Sequence, residues 1–113
     1  MRVKKGGHLL DVRCGEGSFL AVVQKEGWRV SGTEFSMFAA KQAADLLNID
    51  IFCGKLSNAG FHENSFDVVT MWHVLEHVDD PKKYLEEIHR ILKPNGLFVF
   101  AVPDKPITVK TLQ

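Results

Sequence analysis

The chain has 113 residues, 45% hydrophobic and 25% charged, the composition of one globular domain and not of a disordered or fibrous chain. Fourteen Lys and Arg balance fourteen Asp and Glu, so there is no global field to capture nucleic acid or an anionic membrane at long range, and no nucleic-acid partner is expected. No apolar run approaches the ~20 residues of a bilayer span, and the N-terminus lacks an apolar signal core, which leads us to expect a cytoplasmic chain.

The first strand reads His8-Leu9-Leu10-Asp11-Val12 and runs into a turn bearing Gly15 and Gly17. A helix then sets Phe19, Leu20 and Val23 on one face and stops near Gly27. Trp28 to Thr33 alternates as a second strand ending at Glu34, and Ser36 caps a second helix with Met37, Ala40, Ala44 and Leu47 at helical spacing. Ile49 to Cys53 forms a short third strand, followed by a loop around Asn58-Ala59-Gly60. Phe66 to Trp72 is almost continuously apolar, as suits a central strand buried on both faces. Asp80-Pro81 opens a third helix with the stripe Leu85, Ile88 and Leu92, Pro94-Asn95-Gly96 stops it, and Leu97 to Val102 is the fifth strand. Cys14 and Cys53 lie far apart without a CxxC and read as reduced, buried small hydrophobes.

Strands alternating with helices give an α/β fold: a doubly wound, mostly parallel sheet of about five strands, order 3-2-1-4-5, with helices on both faces. Ligands of such sheets bind at the carboxyl ends of the strands where the order reverses, here beside strand one. That rim collects the Gly15/Gly17 turn, Glu34 and the segment after Trp72. Glycines there let the backbone turn sharply and bring N–H groups and a helix terminus to a ligand. A carboxylate at the end of strand two accepts hydrogen bonds from both hydroxyls of a ribose, so turn and acid together favour a nucleoside ligand.

These features, taken in order, resemble the class I S-adenosylmethionine-dependent methyltransferases. The resemblance rests on Leu9-Leu10-Asp11-Val12-Arg13-Cys14-Gly15-Glu16-Gly17, on Glu34, on Phe66-Asp67-Val68-Val69, on His73-Val74-Leu75-Glu76-His77-Val78, and on Leu92-Lys93-Pro94-Asn95-Gly96. It implies S-adenosylmethionine as cofactor and methyl transfer to an acceptor that the residues do not name. Carried over, it places Asp11, Arg13, Cys14, Gly15 and Gly17 around the methionine end of the cofactor, Glu34 at the ribose, Leu56 near the adenine and His73 opposite the sulfonium. His73 and His77 are candidate general bases for a hydroxyl acceptor, or only organisers of the turn after strand four. Arg13 stands where the family has glycine. It either obstructs the cofactor or pairs its guanidinium with the cofactor's carboxylate, and backbone preference together with charge favours obstruction.

The resemblance further implies a partial domain, residues 1–113, lacking the family's last two strands. Strand five would then keep an unpaired edge and an uncovered apolar face, Leu97 to Phe100, through which a homodimer could form. Three other readings compete. A methyltransferase-like binding module without turnover fits the short chain. An NAD-binding oxidoreductase fragment shares the strand, turn and acid, although its fingerprint wants a small residue where Leu20 stands. His73-Val74-Leu75-Glu76-His77 also matches the HxxEH zinc motif, but without a third ligand, and no metal is expected.

Overall fold

The computed structural model describes residues 6–72, 80–101 and 105–111. Strand β1 (His8–Val12) is followed by helix α1 (Ser18–Lys25), β2 (Arg29–Glu34), α2 (Met37–Leu47), the two-residue β3 (Phe52–Cys53) and a 3-10 turn at Leu56–Asn58. Then come β4 (Phe66–Trp72), α3 (Pro81–Ile91), β5 (Leu92–Ala101) and β6 (Thr108–Lys110). They form one sheet in the order β3-β2-β1-β4-β5-β6. The first five strands are parallel, and the order reverses at β1, which pairs with β2 on one side and β4 on the other.

The sheet therefore has one strand more than the sequence suggests. β6 runs antiparallel along β5, pairing Phe98 with Lys110, Val99 with Val109 and Phe100 with Thr108. The edge of β5 proposed above for dimerisation is thus already paired, and the exposed edge moves to a three-residue strand ending in a lysine, a form that discourages edge-to-edge association. β3 is shorter than expected because only Phe52 and Cys53 find partners, Thr33 and Glu34.

The helix caps follow the sequence. Ser36 accepts a hydrogen bond from the Ala39 N–H at 3.2 Å, and Asp80 accepts one from Lys83 N–H at 3.1 Å with Pro81 opening the helix. Two buried stripes differ from expectation. On α2 the buried residues are Ala40, Ala43 and Leu47, while Met37 lies 78% exposed. On α3 they are Ile88 and Ile91, because Leu92 already belongs to β5, opposite Phe66. The chain then makes a tight detour at Lys93-Pro94-Asn95-Gly96 before Leu97 rejoins Val68. Asn95 has φ 66°, and proline followed by a residue at positive φ is the sequence of a type II turn.

Two apolar layers result. Leu10, Val12, Val69, Met71, Phe66 and Phe98 face Ile88, Ile91 and Leu56 on the α3 side. On the other side Leu9, Val30 and Val68 meet Leu20, Ala43 and Leu47 from α1 and α2. Since side chains alternate along a strand, Asp11 and Thr70 share the second face with Leu9 and Val68, at the carboxyl rim.

Candidate functional site

The turn after β1 needs positive φ at three positions: Arg13 at 60°, Gly15 at 62° and Gly17 at 93°. Two are glycines, which adopt this region freely, and the third is an arginine, which does not. The turn is fixed mainly by β2. Arg13 N–H lies 3.3 Å from Thr33 Oγ1, Cys14 N–H donates to the Thr33 carbonyl at 2.8 Å, and Gly15 N–H donates to Glu34 Oε1 at 2.9 Å. Gly17 N–H donates to the Cys14 carbonyl at 3.2 Å. These donors are therefore engaged within the protein, which corrects the expectation that the turn offers them to a ligand. What remains is the amino terminus of α1, whose cap Gly17 carries no side-chain acceptor.

Glu34 is the hinge of this arrangement. It is only 8% exposed, so it is not a solvated acid at a strand end. Its Oε1 holds Gly15, and its Oε2 accepts from Ser36 N–H at 2.8 Å, tying the turn to the start of α2. A carboxylate offers about four lone-pair directions. Two are taken, which leaves capacity for a ligand's hydroxyls above the rim. Beside it, a Cβ on Gly15 would meet no atom within 4 Å, so open space lies over the turn at that residue.

Asp11 is 1% exposed and accepts a hydrogen bond from Thr70 Oγ1 at 2.6 Å. Burial pushes its carboxyl up to about 7, with the Glu34 charge adding to the effect and the Thr70 hydrogen bond opposing it. The rim thus holds a carboxyl poised to ionise near neutrality. Thr70 had escaped the sequence reading. Its signal was a hydroxyl within the otherwise apolar run Val68 to Met71.

The remaining candidates separate. Cys14 is buried, and burial first, then the Asp11 and Glu34 charges, push its thiol up to about 12, so it is inert packing. Cys53, expected to be buried, is exposed, with its thiol 3.4 Å from the Phe35 carbonyl. Gly17 packs instead of opening space: a Cβ there would lie 3.0 Å from Ala43 Cβ and 3.2 Å from its Cα. Leu56 is 2% exposed with its side chain in the α3-side core, leaving only backbone for a ligand. His73 and His77 lie outside the described residues. Among the described residues, no group of three or more His, Cys, Asp or Glu is placed to hold a metal, and no helix is long and apolar enough to cross a membrane.

Arg13 is exposed, and its guanidinium carbon lies 5.1 Å from the centroid of the Phe35 ring, a cation–π contact. On the other side its charge offsets part of the burial effect that raises the Tyr84 phenol. The arginine thus lies over the ring of the residue after Glu34.

Comparison with known proteins bears on the fold and the family. The family profile described as a methyltransferase domain matches residues 2–112. A demethylmenaquinone methyltransferase of Staphylococcus epidermidis is 38% identical over 113 residues, covering 94% of this chain and 47% of that protein. A chain in the complex between the Haloferax volcanii Trm112 methyltransferase activator and a methyltransferase superposes with TM-score 0.80 at 30% identity, covering 90% of this chain and 47% of that one. The [4+2]-cyclase SpnF superposes with TM-score 0.78 at 27% identity, covering 87% and 39%. The chain spans about half the length of the curated relatives it matches. With its parallel sheet reversing at β1, its glycine turn and its matched profile, the chain belongs to the class I S-adenosylmethionine-dependent methyltransferase family.

Proposed function

We propose that this chain binds S-adenosylmethionine on the carboxyl rim of β1 and β2 and serves methyl transfer from it. The observation that carries the reading is Glu34, a nearly buried carboxylate held by two backbone donors beside the open space over Gly15. A charge-assisted hydrogen bond is about twice as strong as a neutral one, so a fixed carboxylate with free lone pairs suits a ribose diol. Asp11 deepens the fit. It lies near the carboxyl end of β1, beside the Glu34 charge, and would ionise more readily beside a positively charged ligand, which favours the cationic sulfonium and ammonium over a neutral nucleoside.

When bound, the cofactor supplies an activated methyl group, so the protein's task is to position it. Glu34 orients the ribose, the Gly15 turn lets the ligand approach the backbone, and Asp11 meets the positive end. The relatives' name points to a demethylated quinone ring as the acceptor class, and we adopt that class for this chain. The fold alone does not choose the reaction, since a [4+2]-cyclase shares it.

One observation favours a second reading, a binding module without turnover: Arg13 places a cation and a strained backbone on the cofactor's rim. Calorimetry with S-adenosylhomocysteine and NADH separates the possibilities. The homocysteine nucleoside should bind and NADH should not. Leu20, where a dinucleotide fingerprint requires a small residue, is completely buried on the inner face of α1. Glu34→Ala should weaken nucleoside binding by about 1–3 kcal/mol. Undiminished affinity in a folded variant would remove Glu34 from the ribose site.

A further inference from the structure

We infer that the rim segment Phe35–Phe38 docks on an anionic lipid surface, through apolar side chains flanked by cations. Among the described residues, Met37 and Phe38 are the two most exposed large apolar side chains, at 78% and 74%. Phe35, three residues before Phe38, is 47% exposed. Other exposed apolar residues, such as Val22 and Leu46, are spread along the helices, whereas these three lie within four consecutive residues on either side of the Ser36 cap. Isolated apolar residues on a surface need no explanation, but a contiguous group marks a contact face. They also had no need to be apolar for the fold, because the buried stripe of α2 is Ala40, Ala43 and Leu47.

The charges around them narrow the partner. Arg13 lies over the Phe35 ring. Lys41 follows Met37 by one helical turn on the same side of α2 and is exposed. Lys55 is exposed two residues after Cys53, whose thiol touches the Phe35 carbonyl. Against these three cations stand two exposed acids among the described residues nearby, Glu16, which accepts a hydrogen bond from Ser18, and Asp45, one helical turn after Lys41. The Glu34 carboxylate lies beneath the surface with both oxygens bound. Aromatic and methionine side chains ringed by Lys and Arg are the pattern of an interfacial contact, apolar groups entering the headgroup boundary and cations meeting anionic lipids. The chain's zero net charge does not oppose this, because the attraction is local and acts within a Debye length. The patch borders the rim where we place the cofactor, so docking would turn that rim toward the lipid.

The test uses the 113-residue chain with vesicles of phosphatidylcholine alone or mixed with phosphatidylglycerol, at low and high salt, and does not depend on cofactor binding. The wild-type chain should cosediment with the mixed vesicles and be released by salt. The double variant Met37→Ser, Phe38→Ser should lose at least about tenfold in partitioning, and Lys41→Glu about fivefold on mixed vesicles only. Both variants should keep their circular dichroism and nucleoside affinity. No cosedimentation of the wild type, or equal partitioning of the serine variant, overturns the inference. So does self-association of the wild-type chain without lipid that the serine variant abolishes, which would make a second copy the occupant.

Discussion

The two faces of the sheet are built on opposite plans. The α3 side is filled by volume: Phe66, Phe98, Met71, Ile88 and Ile91 interlock, and every one of them is completely or almost completely buried. The α1/α2 side is filled by closeness. Gly17 sits against Ala43, and a Cβ on Gly32 would lie 2.9 Å from the Cys14 sulfur and 3.1 Å from Leu20. Only this second face carries the Asp11–Thr70 pair at its rim. One face thus supplies bulk, and the other trades bulk for a tight turn and a buried carboxyl at its rim.

The largest expected effect tests the bulky side. Phe66→Ala removes a ring packed edge-on against Phe61 and should cost about 3–5 kcal/mol in urea unfolding. A loss well under that would mean that the α3 side collapses easily and is not the rigid half.

pH should divide the faces next. Asp11 titrates near 7 in the folded chain against 3.8 for the free group, so the folded form keeps a proton that the unfolded form has lost. Stability attributable to Asp11 is therefore present below about pH 4 and disappears as pH rises to about 7, an effect of up to ~4 kcal/mol. On the other face His8, whose ring lies 4.6 Å from Phe66, is lowered from 6.5 to about 4, first by burial and then by Arg29. Its contribution is full above 6.5 and is lost as pH falls toward 4. Unfolding of Asp11→Asn between pH 4 and 8 should lose the Asp11 slope and keep the opposing one. An unchanged profile would show that Asp11 titrates normally.

Smaller effects probe the close-packed side. Gly17→Ala meets both a left-handed φ and Ala43 at 3.0 Å, and should destabilise by about 2–4 kcal/mol in the same assay. Arg13→Gly relieves a left-handed non-glycine but gives up a cation–π contact, for a net gain of about 0.5 kcal/mol. If Arg13 obstructs the cofactor, the same variant binds S-adenosylmethionine more tightly by calorimetry, whereas weaker binding makes Arg13 a ligand.

Strong local patterns were readable. β1 and β4 have the bounds their apolar runs announce, and Ser36 and Asp80 cap the helices where expected. β6 was not, because Thr108-Val109-Lys110 has no apolar run and becomes a strand only through β5. Met37 fits the helical period as well as Ala43 does, and only packing against α1 decides which is buried. At the rim, residue types alone singled out Asp11, Gly15 and Glu34 as candidates. The partners did not follow from them. That Glu34 binds Gly15 and Ser36, or that Asp11 lies under Thr70, depends on contacts between strands distant in sequence.

The position of β1 between β2 and β4 also gives its two ladders different loop-closure costs. Contacts from the end of β1 to β2, such as Arg13 to Thr33, span 20 residues, whereas Asp11 to Thr70 spans 59. Closing the longer loop costs roughly 1 kcal/mol more in chain entropy, so loop closure alone favours the β1–β2 ladder over the β1–β4 ladder as the earlier to form. The Glu34–Gly15 clasp can exist in that first half alone. The buried Asp11–Thr70 pair cannot, for its hydroxyl comes from β4, and the burial that raises the Asp11 carboxyl is complete only when the second half has docked.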